Sequence, residues 1–162
     1  IGIDLNKRAV RFCGRRYKMN GLSFSQGDAQ HLKLEDDSCD IVINVESSHR
    51  YPNMTAFLNE VFRILRPGGS FLFTDFRYDS EMDELKKDLK GSGFAVIKEK
   101  IINREITTAL ELDDNRRRSL IKTLAPKFLH KLALNFAGAL GSDTYNNFTS
   151  EKYVYFSYVF NK

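Results

Sequence analysis

Residues 39–76, CDIVINVESSHRYPNMTAFLNEVFRILRPGGSFLFTDF, restrict what this chain can fold into more than any other stretch. Asp40 precedes Ile41, Val42 and Ile43, an apolar, β-branched run of strand length that reads as a buried strand. The polarity then changes. Asn44, Glu46, Ser47, Ser48, His49 and Arg50 crowd together, as happens where a chain leaves the carboxyl end of a parallel strand and lines a cleft. After Pro52 the apolar period becomes helical, with Phe57, Leu58, Val61, Phe62, Ile64 and Leu65 on one stripe and Asn59, Glu60, Arg63 and Arg66 facing away. Pro67, Gly68 and Gly69 are expected to stop this helix, because proline cannot continue it and glycine accepts a left-handed helix end. Ser70 to Phe76 reads as a second buried strand with Asp75 near its end. Strand, helix and strand in this order form one right-handed crossover unit, so the fold class is α/β.

The flanks extend the same pattern. Ile1 to Leu5 reads as a strand ending in a carboxylate, and Asn6 caps a helix running to about Tyr17. In nucleotide-binding α/β folds an acidic residue at such a strand end accepts hydrogen bonds from both ribose hydroxyls, and Asp4 suits that role as well as that of a local cap. Leu22 to Gln26 is a short alternating strand that runs into Gly27, Asp28 and Ala29, where an aspartate is also common for turn geometry alone. Downstream, Asp79 to Leu89 reads as an acidic-then-basic helix ended by Gly91, Ser92 and Gly93, with Phe94 under the sheet and Ala95 to Ile102 as a strand. The last strand, Tyr153 to Phe160, is separated from it by residues 103–150, too many for plain loop. Glu111 to Leu124 is expected as a helix carrying Arg116, Arg117 and Arg118. Lys127 to Leu140 is expected as another, with Phe128, Leu129, Leu132, Phe136 and Leu140 on one side. Three roles fit this insertion: a lid over a bound acceptor, a cover for the sheet edge with a solvated arginine face, or a peripheral membrane contact.

Composition removes several classes. The 162 residues with 42% hydrophobic content supply one domain, 1–162, with 103–150 as a helical insertion. A net charge of +4 without alternating basic and aromatic residues argues against a nucleic-acid groove. The longest apolar runs have only strand length, which excludes a membrane-spanning helix or signal peptide within these residues. Cys13 and Cys39 read as free thiols in a reducing, cytoplasmic setting. No group of histidines and carboxylates has metal-ligand spacing, so no metal is expected.

Taken together, GIDLN at residues 2–6, GDA at 27–29, ESSH at 46–49, LRPGG at 65–69 and TDF at 74–76 resemble the class I S-adenosylmethionine-dependent methyltransferases. ESSH and TDF resemble in particular the small-molecule O-methyltransferases of natural-product and glycolipid pathways. The resemblance implies a Rossmann-like sheet with a reversed last strand, in the order 3-2-1-4-5-7-6, and S-adenosylmethionine as cofactor. It assigns cofactor contacts to Asp4 and Leu5 (ribose), Asp28 and Ala29 (adenine), and Asn44 and Val45 (backbone closing over the cofactor). The family's first strand and glycine-rich turn have no counterpart in the sequence, so two strands are expected to lose a neighbour, and the sequence reads as a fragment or truncated isoform. His49 and Asp75 are the expected catalytic pair. Methyl transfer to a hydroxyl needs a group to take its proton, an imidazole suits that task, and an acidic partner can orient the ring. Glu46 is the alternative base or a helper. The blander reading leaves His49 on the surface and makes Asp75 a cap. The expected acceptor is a small, lipid-like or polyketide molecule bearing a hydroxyl. The competing readings are C-methylation of a quinone or sterol, and a non-catalytic binding protein that no longer holds the cofactor.

Overall fold

The computed structural model describes all residues from Ile1 to Lys162. In chain order they form β1 (Gly2–Asp4), α1 (Lys7–Arg16), β2 (Phe24–Gln26), β3 (Cys39–Val45), α2 (Met54–Ile64), β4 (Leu65–Tyr78), α3 (Met82–Gly91) and β5 (Ala95–Ile101). Four helices follow, α4 (Asn103–Leu112), α5 (Asp114–Leu124), α6 (His130–Phe136) and α7 (Asp143–Thr149), before β6 (Tyr153–Asn161) closes the chain.

The strands form two sheets. β1 and β2 pair in parallel, and β3-β4-β6-β5 form a four-stranded sheet in which β6 is antiparallel to both of its neighbours. This is the expected order with its central strand left out. β1 and β3 are not bonded to each other, so the expected loss of a neighbour on each is observed. It has a second consequence that periodicity did not predict: Ile41, Ile43 and Val45 lie in solvent, with Ile43 66% exposed, so only one face of β3 is buried. A strand is covered on both faces only when helices lie on both sides.

Alternation explains the core. Phe71 and Phe73 on β4, and Phe156, Tyr158 and Phe160 on β6, project to one face, where cross-strand pairing sets Phe71 against Phe160 and Phe73 against Tyr158. α2 covers this face with Phe57, Leu58 and Val61, and α3 with Met82, Leu85 and Leu89. Phe94 closes the layer, 5.6 Å from Phe71 and 5.7 Å from Phe160. β5 is exposed along its whole length, and Lys98, Glu99 and Lys100 protect that edge from pairing with another strand.

Three local expectations need correction. α2 ends at Ile64, before Pro67, and the chain is already extended from Leu65. Arg66 to Gly69 then bulge out between the Cys39–Leu65 and Ile41–Ser70 pairs, with Gly68 at φ +79°. A side chain on Gly69 would lie 2.9 Å from the Arg66 carbonyl oxygen, so glycine is required by the bulge rather than by a helix end. Arg63 and Glu60, read as solvent-facing, instead hold the 32–36 loop. Arg63 donates to the Leu32 and Leu34 carbonyls and to Asp36, while Glu60 accepts from the Leu32 amide at 2.6 Å. The predicted helix from Glu111 to Leu124 is broken at Asp113, and the one from Lys127 to Leu140 is a 3-10 turn, Lys127–Leu129, followed by the two-turn α6. Gly138 and Gly141, both at positive φ, end that element, and Ser142 caps α7, which periodicity did not reveal.

Candidate active site

A cleft of about 480 Å³ lies between β1 and β3. Asp4 and Leu5 enter it from the end of β1, Asp28 and Ala29 from the turn after β2, and Asn44 from the end of β3. Two carboxylates are prepared in the same way. Asp4 Oδ1 accepts from the Asn6 amide at 2.6 Å, and Asp28 Oδ1 accepts from the Gln30 amide at 2.9 Å. Each keeps its second oxygen free of protein donors. The hydrogen bonds from Gln30 hold the Asp28 carboxyl below the usual range, so it is an anion with an acceptor to spare. Asn44 donates from Nδ2 to the Tyr51 hydroxyl at 3.0 Å, but its Oδ1 is buried with no partner. Such an orphaned acceptor in a cleft wall calls for a donor from a ligand. Val45 was expected to contribute through its backbone. Its side chain is 57% exposed, on the opposite face of β3 from Asn44, and lies beyond the cleft lining, which Ile43 on the same face still reaches.

His49 and Asp75 are brought together from 26 residues apart. Asp75 shares the parity of Phe71 and Phe73, so its side chain enters the core face and is 0% exposed. Burial pushes its carboxyl up. The hydrogen bonds from Ser48, His49 and Phe76 and the charge of Arg77 outweigh that push and hold it below the usual range. The donors are specific: the Ser47 and His49 amides at 3.2 and 3.1 Å, the Ser48 hydroxyl at 2.7 Å, and the Phe76 amide at 2.8 Å. His49 Nδ1 lies 2.8 Å from Asp75 Oδ1. An ionised carboxylate only accepts, so Nδ1 carries the proton and Nε2 is left as the free acceptor. The ring packs against Phe76 at 4.7 Å between centroids, tilted by 33°.

The dyad does not open into the cleft that holds Asp4 and Asp28. His49 lines an adjoining hollow of about 380 Å³ with Arg77, Glu81 and Glu84, and Tyr51 and Pro52 belong to both walls. Hydrogen bonds join the two: Asn44 donates to Tyr51, Tyr51 and Ser47 share a hydroxyl contact at 2.6 Å, and the Ser47 amide donates to Asp75.

Sequence reasoning passed over Arg77, Tyr51 and Tyr155. Arg77 donates to Ser48 Oγ at 2.7 Å and stands 3.4 Å from Asp75, a position that two-residue spacing on β4 could have flagged. The Tyr155 hydroxyl donates to Glu46 Oε1 at 2.5 Å, and burial followed by this bond raises the phenol strongly. Glu46 is therefore already engaged. Its backbone sits at φ +47°, a strained conformation that costs about 1–3 kcal/mol and collects at functional sites.

Residues 1–73 match the methyltransferase-domain family. The chain is 34% identical over 161 residues to the phthiotriol/phenolphthiotriol dimycocerosates methyltransferase of Mycobacterium tuberculosis, covering 99% of this chain and 60% of that one. It is 42% identical over 128 residues to the phthiotriol/phenolphthiotriol dimycocerosates methyltransferase 1 of Mycobacterium ulcerans, covering 79% and 47%. The fatty-acid O-methyltransferase of Mycolicibacterium smegmatis is 41% identical over 128 residues, covering 79% and 47%. The chain thus spans roughly half the length of these relatives, between 47% and 60%. Among solved structures, the geranyl diphosphate C-methyltransferase of Streptomyces coelicolor aligns over 99% of this chain and 63% of its own, with a TM-score of 0.70 at 10% identity. The phosphoethanolamine N-methyltransferase 2 of Haemonchus contortus, in complex with S-adenosyl-L-methionine, aligns over 99% and 42%, with a TM-score of 0.68 at 16% identity. At such identities these structures speak to the fold alone.

Proposed function

We infer that this chain, which belongs to the class I S-adenosylmethionine-dependent methyltransferases, takes part in methyl transfer to a hydroxyl of a lipid-like molecule, with His49 as the general base. The observation that carries this reading is the buried anion of Asp75 set 2.8 Å from His49 Nδ1. Two relatives are named for phthiotriol compounds and one for O-methylation of fatty acids, which supports an acceptor with a long apolar part.

The cleft between β1 and β3 fits the family's cofactor in its donor and acceptor pattern. Asp4 and Asp28 each offer a fixed carboxylate oxygen for hydroxyl or amine hydrogens, and the orphaned Asn44 Oδ1 offers a third acceptor. When bound, S-adenosylmethionine supplies a methyl group on a positively charged sulfur, which leaves as a neutral thioether. His49 Nε2 takes the acceptor's hydroxyl proton as its oxygen forms the new bond to carbon. Asp75 keeps the imidazole in the required tautomer and stabilises the imidazolium that results. Tyr155 holds Glu46 away from this task. The insertion 103–150 acts as a lid on the acceptor side, a reading supported by Phe148 of α7 packing 5.5 Å from Phe76, beside His49.

The test separates binding from chemistry. Calorimetric titration with S-adenosylhomocysteine is expected to show a site weakened about tenfold by Asp28→Ala, in line with the loss of one charge-assisted hydrogen bond. Transfer of labelled methyl to long-chain alcohols is expected to fall about 10²–10⁴-fold in His49→Gln with that binding intact. Full transfer by His49→Gln sinks the base assignment, and absence of binding sinks the cofactor site.

A further inference from the structure

The 28 residues from Asn115 to Ser142 contain no aspartate or glutamate and six arginines and lysines. Two of these, Arg116 and Arg118, are paired with Asp113 and Asp114, and Arg117 is turned into the structure. Lys122, Lys127 and Lys131 are exposed and have no carboxylate partner. Among them the chain displays its most exposed aromatic side chains. Phe128 is 84% and Phe136 85% exposed, with Leu132 between them at 67%. The spacing of four places all three on one side of the turn and α6, and Leu124 at the end of α5 extends the apolar area. This stripe covers no sheet edge. A hollow of about 690 Å³ opens beside it, walled by Phe128, Leu132 and Leu140, with Arg118, Lys131 and Asp143 as its charged lining.

We propose that the α5–α6 surface docks onto an anionic lipid bilayer, with Phe128, Leu132 and Phe136 entering the acyl boundary and Lys122, Lys127 and Lys131 facing the headgroups. Apolar side chains flanked by three unpaired lysines, with Asp143 as the one carboxylate at the margin, match a surface that is negative outside and hydrocarbon within. A nucleic acid would meet the cations but offers nothing to leucines and isolated phenylalanines. The inference does not depend on methyl transfer, because vesicle binding is read without cofactor or acceptor.

The experiment is co-sedimentation of the chain with vesicles of phosphatidylcholine alone and with vesicles in which a third of the lipid is phosphatidylglycerol. Partitioning onto the anionic vesicles is expected, reduced by high salt. It is expected to drop at least tenfold in Phe128→Ser/Phe136→Ser, and about fivefold for each of Lys127→Gln and Lys131→Gln, the ratio that corresponds to roughly 1 kcal/mol per cation at a membrane surface. All four side chains are exposed, so the circular dichroism of these variants should match the parent. The idea is overturned if the parent ignores anionic vesicles or if the double phenylalanine variant sediments equally. It is also overturned if the parent is a dimer that the same variant makes monomeric, since the stripe then covers a second copy, or if it prefers a duplex oligonucleotide to the vesicles.

Discussion

In the sheet body, Phe71, Phe73, Phe156 and Phe160 are completely buried and pack face to face or edge to face at 5.1–5.7 Å, whereas in the 103–150 insertion Phe128 and Phe136 stand in solvent. The insertion is tied down by polar side chains that reach backbone groups. Asn103 donates to the Phe148 and Tyr153 carbonyls and accepts from the Tyr155 amide at 2.7 Å. Arg117 donates to the carbonyls of Leu110 and Ala137, and Arg118 to that of Leu140. The body is thus organised by removing apolar area from water, and the insertion by satisfying backbone groups at a few points around one apolar anchor, Phe148 seated on Phe76 and Tyr153. The second arrangement is expected to open locally at lower free energy than the first, as suits a segment that must admit an acceptor.

The largest test of this contrast is Phe73→Ala. A fully buried aromatic truncated in a packed layer is expected to cost about 3–5 kcal/mol, measured as the midpoint of cooperative denaturant unfolding. If the insertion unfolded first and the sheet were unaffected, the body would not be the packed unit described. Asn103→Ala comes next, at roughly 1–3 kcal/mol for buried backbone groups left unpaired. Hydrogen exchange should quicken in α4 and α7 while the β4–β6 amides stay protected. Equal loss of protection in both regions would mean that insertion and body open together.

The smallest effect is the acid limb. Asp75 has a folded pKa below its unfolded value of about 3.9, so its contribution is fully present above that pH and is lost as the pH falls through the folded value. The thermal midpoint should therefore fall below about pH 4. Asp75→Asn should flatten that limb, since the carboxylates of the insertion, Asp113 and Asp114, pair with arginines near the surface, where solvent screening leaves little to lose. An unchanged limb in Asp75→Asn would move the acid sensitivity to those surface pairs.

Much of the body was legible because its signals are local. The β-branched run of β3 names an element though not its faces, the helical stripe of α2 and the two-residue alternation of β4 name both, and the residue types at the strand ends named Asp4, Asp28, Asn44, His49 and Asp75 as site candidates. The misreadings fall where a local signal has two outcomes. The proline and glycines at 67–69 read as a helix end and prove to be a bulge, and Gly138 cuts Leu140 off from the stripe of apolar residues that periodicity had joined.

The sequence by itself determined the crossover unit and the chemical groups available to the site, while the strand order with its reversed last strand followed from the family resemblance. Periodicity and residue type act within a few residues, where the chain's own geometry limits the choices. Only the tertiary structure decided that Asp75 meets His49, that Arg77 balances the buried charge, that Glu46 is engaged by Tyr155, and that the stripe of α6 faces outward. Those outcomes depend on which distant element covers which face, and backbone pairing between strands far apart in sequence settles it.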